Sequence, residues 1–178
     1  HPDIVVELHV DSGFTDIVAN RFDAGVRLGE SLEKDMIAAR IGPKMRMAAV
    51  GAPSYFTDRG MPATPHDLAQ HSCINLRFAG AGKLYAWDFE KNGRSLSVKV
   101  EGQLVFNDPD LIRQAAIDGH GIAFMLEDHF SSELADGTLM RVLDDWCEPF
   151  DGYYLYYPSR RQQTTAFKLI LDALRLRK

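Results

Sequence analysis

An α/β fold is predicted by three features of the chain. Strand-like and helix-like hydrophobic periods alternate along its whole length. Gly, Pro and Asn-Gly signals break the runs at short intervals. The strongest helix start, Asn107-Asp108-Pro109, falls between two strand signals, with Asp108 suited to the N-cap and Pro109 to the first helical position.

Ile4, Val5, Val6, Leu8 and Val10 form a β-branched apolar run that predicts a buried strand. Asp11 and Ser12 then offer a cap to a helix whose stripe is Phe14, Ile17, Val18 and Phe22. A strand over 24–28 ends at Gly29, so the first 30 residues read as a βαβ unit with a parallel pair. Two further strands, 36–41 and 45–50, are separated by Gly42-Pro43. After Gly51-Ala52-Pro53 the pattern changes to a short helix over 54–59 and a capped helical turn over 64–69. Strands are predicted at 73–78 and 86–90. Asn92-Gly93 predicts a hairpin joining the latter to 95–100. Leu111, Ile112, Ala115 and Ala116 form the buried face of the helix opened by Asp108, and Gly119 ends it. A strand at 122–126, a helix at 128–135, strands at 139–143 and 152–157, and a helix over 165–176 complete the reading.

The chain has 178 residues, 46% hydrophobic and 25% charged, an ordinary globular composition that excludes disordered and collagen-like classes. Its two cysteines, Cys73 and Cys147, are too few for a disulfide framework or zinc site and read as free, semi-buried thiols. No apolar run approaches the roughly 20 residues of a bilayer span, and no signal-peptide pattern opens the chain. The net charge is −5, with six basic groups against Asp172 alone in residues 158–178, which leaves −10 on the rest. An acidic body argues against direct contact with nucleic acid.

No nucleophile elbow, phosphate loop, HExxH or dinucleotide fingerprint is present, so no catalytic or metal-binding residue and no cofactor is assigned. What remains is a set of polar residues at junctions of strands and helices, where α/β sheets bind ligands. They are Asp11, Ser12, Arg27, Gly29, Asn107, His120 and Gly121. Four of them have a bland alternative: caps for Asp11 and Ser12 (as for Asp108), an ion pair for Arg27, a loop for His120.

Several segments in fixed order make the chain resemble the effector-binding domain of LysR-type transcriptional regulators. They are Pro2-Asp3-Ile4-Val5-Val6-Glu7-Leu8, Arg21-Phe22-Asp23-Ala24-Gly25-Val26-Arg27-Leu28-Gly29, and the stretch from Met47 to Phe56 around Gly51-Ala52-Pro53. Thr64-Pro65-His66-Asp67-Leu68, His71-Ser72-Cys73-Ile74-Asn75, residues 115–123 around Gly119-His120-Gly121, and Tyr154-Leu155-Tyr156-Tyr157-Pro158 follow.

The resemblance implies a type 2 periplasmic-binding-protein-like α/β fold of two lobes with a ligand cleft between them. Lobe one would comprise 1–50 and 144–178, without the family's first strand and helix, and lobe two 51–143. It implies a small-molecule effector, here an organic acid because of Arg27 and Arg77. Asp11, Ser12, Arg27 and Gly29 would face Arg77, Phe78, Asn107, His120 and Gly121. It further implies a cytoplasmic, non-enzymatic module with no membrane partner. A homodimer or homotetramer would form, with residues 111–117 as a contact helix, and operator DNA would be reached only through an N-terminal domain absent from this sequence. The rival reading is an exported solute-binding protein of the same architecture. A small α/β enzyme would need a nucleophile or metal site that the sequence does not offer.

Overall fold

The computed structural model describes residues 1–10, 16–29, 35–78, 84–159 and 163–175. In chain order the elements are β1 Gly25–Leu28, β2 Met36–Arg40, β3 Lys44–Met45, β4 Met47–Gly51, α1 Pro53–Arg59, β5 Asn75–Leu76, β6 Trp87–Lys91, β7 Arg94–Val98 and β8 Val105–Phe106. They continue with α2 Pro109–Ile117, β9 Ala123–Leu126, α3 Ser131–Asp136, β10 Met140–Val142, β11 Phe150–Asp151, β12 Tyr153–Pro158 and α4 Thr165–Leu174. Two compact units divide the chain, one of His1–Met45 with Phe150–Lys178 and one of Arg46–Pro149.

The sheet of unit 1 runs β1-β12-β2 and is antiparallel throughout. Alternation along β12 sends Leu155 and Tyr157 to one face, where Phe167 and Leu171 of α4 cover them. Tyr157 meets Phe167 edge-on at 5.0 Å between ring centroids. A short antiparallel ladder, Met45↔Phe150 and Lys44↔Asp151, closes the unit.

In unit 2, β4 lies between β10 and β9, antiparallel to both. A parallel bridge from Cys73 to Ile122 and the parallel pair β5-β8 extend the sheet beyond β9. Ala48 and Val50 of β4 point into one core with Ile112, Ala115 and Ala116 of α2, and with Met125 and Phe130. Ala49 points the other way, into a core of Tyr55, Phe56, Cys73, Trp87, Phe89 and Phe124. Small side chains on β4 let α2 approach the sheet closely. In the second core Phe124 stacks on Trp87 at 5.1 Å and contacts Phe89 at 4.8 Å.

Local chemistry explains the element ends. Asn92 and Gly93 both take positive φ, 54° and 72°, the primed turn that suits the twist of the β6-β7 hairpin. Thr64 and Asp67 form a reciprocal capping box at the 3-10 turn Pro65–Gln70. Gly119 stops α2 in the left-handed region, at φ 78°.

The structure corrects several expectations. Residues 4–10 form no strand, and Val5, Leu8 and Val10 are exposed. An apolar β-branched run becomes a strand only when a neighbour pairs its backbone, and none does among the described residues. The expected helix through Ile17 and Val18 is a single turn in its described part. There Asp16 Oδ1 accepts from the backbone N–H groups of Val18 and Ala19, and Phe22 N–H donates to Ile17 O. Among the described residues no βαβ unit forms, because there β1 pairs with antiparallel β12 and with no parallel strand. The strand at 73–78 contracts to β5 flanked by single bridges. The two compact units divide after Met45 and Pro149. Both ladder partners of β4 belong to unit 2, and those bonds carry β4 with them.

Two measurements test this packing. Phe124→Ala removes a ring buried between two others and is expected to cost about 3–5 kcal/mol in a denaturant titration. His71 sits with its Nδ1 3.3 Å from the Tyr55 hydroxyl, and burial holds its pKa below the ordinary value. A depressed histidine stabilises the fold above its unfolded pKa, about 6.5, and that contribution is lost as pH falls towards the folded value. Acidification through that window is therefore expected to lower the midpoint less in His71→Gln than in the unaltered chain.

Candidate functional site

Among the sequence-predicted residues, Asp11 and Ser12 lie outside the described residues. Arg27 sits on β1 with its guanidinium carbon 4.9 Å from the centre of the Tyr156 ring. Register explains the contact. Gly25 lies opposite Tyr156 and Arg27 opposite Tyr154, so the four residues share one face of the sheet. A side chain at Gly25 would collide with the Tyr156 ring, so glycine leaves the room in which the ring lies over the strand. A cation over the π face of a ring is attracted by the ring's quadrupole, which favours this position of the guanidinium. On the same sheet Arg40 pairs with Asp151 at 3.0 Å, and Asp151 accepts from the Tyr154 hydroxyl at 3.3 Å. Gly29 ends β1 at φ 75° and donates its N–H to Gly152 O. Its place in the chain follows from that turn.

In unit 2 the structure brings Arg77, Phe78 and Asn107 together at the carboxyl ends of parallel β5 and β8. Arg77 N–H donates to Phe106 O at 2.8 Å, which sets Arg77 beside Asn107. Phe78 packs edge-on against Tyr85 at 5.5 Å. Burial pushes the Tyr85 hydroxyl up to about 12, so it stays a neutral donor at physiological pH. Because Cys73 bridges Ile122 in parallel and Met47 pairs with Leu126, this is also the end of the sheet at which the chain enters unit 2.

His120 and Gly121 lie elsewhere. They follow the last turn of α2, whose nine residues span about 13 Å, so they stand at the opposite end of the sheet from Asn107. His120 N–H donates to Ala115 O and Gly119 N–H to Ala116 O, the paired bonds of a Schellman stop. Gly121 presses on the Ser72 backbone, where a Cβ would collide with Ser72 O. Both positions are accounted for by chain geometry and separate from the Arg77 cluster.

The N-terminus of α2 is also already occupied. Asp108 Oδ1 accepts from Asp110 and Leu111 N–H at 2.9 and 3.1 Å, Ile112 N–H reaches Asp108 O, and Pro109 has no N–H. The helix end therefore offers an anion its dipole but no open backbone donor.

Sequence reasoning missed two arrangements. Tyr156 as the platform for Arg27 was detectable only through strand register. The second is a charge cluster at the entry to unit 2. Arg46 reaches Asp144 at 2.7 Å and Glu127 at 3.3 Å, and Arg141 reaches Glu127 at 2.8 Å and Asp144 at 3.4 Å. Arg46, Glu127 and the Arg141–Asp144 pair are far apart in sequence, and no motif joins them. Cys73 and Cys147 are buried free thiols pushed by burial to about 12 and about 11, states unsuited to nucleophilic chemistry. Among the described residues no cluster of His, Cys, Asp or Glu could hold a metal, and no helix is long and apolar enough to cross a membrane.

The model of the LysR substrate binding domain matches residues 1–177. The chain belongs to that family. This LysR substrate-binding domain is 54% identical over 175 residues to a putative transcriptional regulator of Pseudomonas aeruginosa, covering 98% of the chain and 57% of that protein. It is 46% identical over 175 residues to the HTH-type transcriptional regulator PgrR of Escherichia coli, covering 98% of the chain and 58% of that protein. It thus spans a little over half the length of these curated relatives. Among solved structures, the regulatory domain of AphB in Vibrio vulnificus superposes with a TM-score of 0.79 at 25% identity, covering 97% of the chain and 84% of that structure. The two-lobed, periplasmic-binding-protein-like α/β class expected from the sequence is that of these regulatory domains.

The cap at α2 is directly testable. Asp108→Ala is expected to cost about 1 kcal/mol of unit 2 stability in urea. Asp108→Asn, which keeps the acceptor, is expected to recover most of it.

Proposed function

We propose that this effector-binding domain senses a small organic acid and passes the binding event to an oligomer that reaches DNA through a separate domain. The observation that carries the acid reading is Arg27 held over the Tyr156 ring, which places its guanidinium on one face of the sheet. Arg77, beside Asn107 at the carboxyl ends of β5 and β8, supplies a second cation of the same chemistry. A planar guanidinium fork matches a carboxylate in two parallel hydrogen bonds, which makes an acid the natural partner. Asn107 and Phe78 add a hydrogen-bonding amide and an apolar edge. Gly29 completes the unit 1 set by its turn, and Asp11 and Ser12 belong to the same proposal. His120 and Gly121 drop out of it.

Transmission requires that the acid bind one arrangement of the protein more tightly than another. A homodimer or homotetramer is the assembly we propose, with α2 as a contact element. Leu111, on the outer face of α2, is 52% exposed and gives that face an apolar point. The curated relatives are transcriptional regulators, which favours a non-enzymatic, cytoplasmic sensor over an exported carrier.

Calorimetry against a panel of carboxylates, amines and neutral aromatics tests the reading. A carboxylate is expected to bind, with Arg27→Ala and Arg77→Ala each weakening it roughly ten- to a hundredfold, the worth of one charged hydrogen bond. Small-angle scattering across the same titration reads the change in oligomer arrangement. Binding confined to cations or neutral compounds, or unaltered acid affinity in both variants, overturns the proposal.

A further inference from the structure

A groove lies on unit 2, at residues the acid proposal does not use. It has a volume of about 640 Å³ and is lined by Arg59, His71, Ser72, Asn75, Glu101 and Gln103 among others. That volume is in the range of about 300–1,000 Å³ typical of small-ligand pockets. Its walls follow from a backbone contact. Gly102 lies so close to Cys73 that any side chain there would overlap the Cys73 carbonyl. Cys73 N–H donates to Glu101 O at 2.8 Å and Asn75 N–H to Leu104 O at 2.9 Å. The 101–104 segment is thereby strapped along β5, with Glu101 and Gln103 at the rim.

At the floor is Asn75, 1% exposed in a strand whose neighbours Ile74 and Leu76 are apolar. Its Nδ2 donates to Cys73 O at 3.3 Å, but its Oδ1 has no hydrogen-bond partner among the described residues. A buried acceptor without a donor is costly and rare in native proteins, and calls for a partner from outside. The amide torsion has a broad well, so the Oδ1 can turn to a donor entering from the groove.

Charge defines the rest of the partner. Arg59 and Glu101 are exposed, and neither side chain forms an ion pair with a described residue. Burial keeps the His71 imidazole predominantly neutral at pH 7, so it adds a hydrogen-bonding group rather than a second cation. One groove thus offers a guanidinium, a carboxylate, an unanswered amide acceptor and neutral hydrogen-bonding groups. We infer that it binds a small zwitterion, with the ligand carboxylate on Arg59 and its ammonium donating to Glu101 and to Asn75 Oδ1. A free amino acid and a peptide end that carries both charges share this chemistry.

The test is calorimetry on the unaltered chain with L-alanine, L-alanyl-L-alanine, N-acetyl-alanine, alanine amide and acetate. One of the first two is expected to bind at about millimolar affinity, and the three singly charged probes at least roughly tenfold more weakly. Preference between L-alanine and the dipeptide distinguishes the two sources. Arg59→Gln and Glu101→Gln alter exposed side chains and are each expected to lower affinity roughly tenfold or more. Asn75→Leu is expected to lose binding while its unliganded melting temperature holds or rises, because the orphaned acceptor is gone. Absence of zwitterion binding overturns the inference. So does acetate binding as well as L-alanine, unaltered affinity in Arg59→Gln or Glu101→Gln, or zwitterion binding retained by Asn75→Leu.

Discussion

Ala48, Ala49 and Val50 have no accessible surface, and β4 is hydrogen-bonded along both edges. A strand with no free edge and no free face must satisfy two packing problems at once. Small residues solve both, since α2 can close on one side while the Trp87, Phe89 and Phe124 rings fill the other. Interiors pack at crystal-like density, so an added methylene on β4 would displace one layer or the other. The positions of β9, and through the Cys73–Ile122 bridge of β5 and β8, are set by this strand. Arg77 and Asn107 are where they are because of it.

Features governed by local chemistry were legible in the sequence. Asn92-Gly93, Asp108-Pro109, Gly119 and the Thr64–Asp67 box each act within a few residues, and each signal names its own geometry. Features that depend on a partner were not. The 4–10 run has strand composition, but a strand is a pairing and the sequence of one segment does not supply the other. The placement of His120 follows a subtler local rule. Once Gly119 is taken as the stop of α2, the next residue is bound to donate back into the helix, and that step was open to sequence reasoning. Arg27 and Arg77 were legible as cations near element ends, whereas the Tyr156 platform and the buried Asn75 emerged only from register and packing.

The Arg46, Glu127, Arg141 and Asp144 cluster ties the first residue of unit 2 to three later segments of the same unit. Its side chains remain partly solvated, so each pair contributes little by itself. Its value is geometric. Two guanidinium groups alternate with two carboxylates, so every charge has two opposite neighbours, and the chain enters β4 at a defined position.

Both tryptophans of the chain, Trp87 and Trp146, belong to unit 2, while Tyr153, Tyr154, Tyr156 and Tyr157 belong to unit 1. Trp87 is wholly buried and stacked on Phe124. Indole emission therefore reports on one unit alone, and the near-ultraviolet tyrosine signal is weighted towards the other. The protein carries its own pair of optical labels. Unfolding curves recorded at the two wavelengths would coincide only if the units melt as one cooperative body, and would separate if each keeps its own stability.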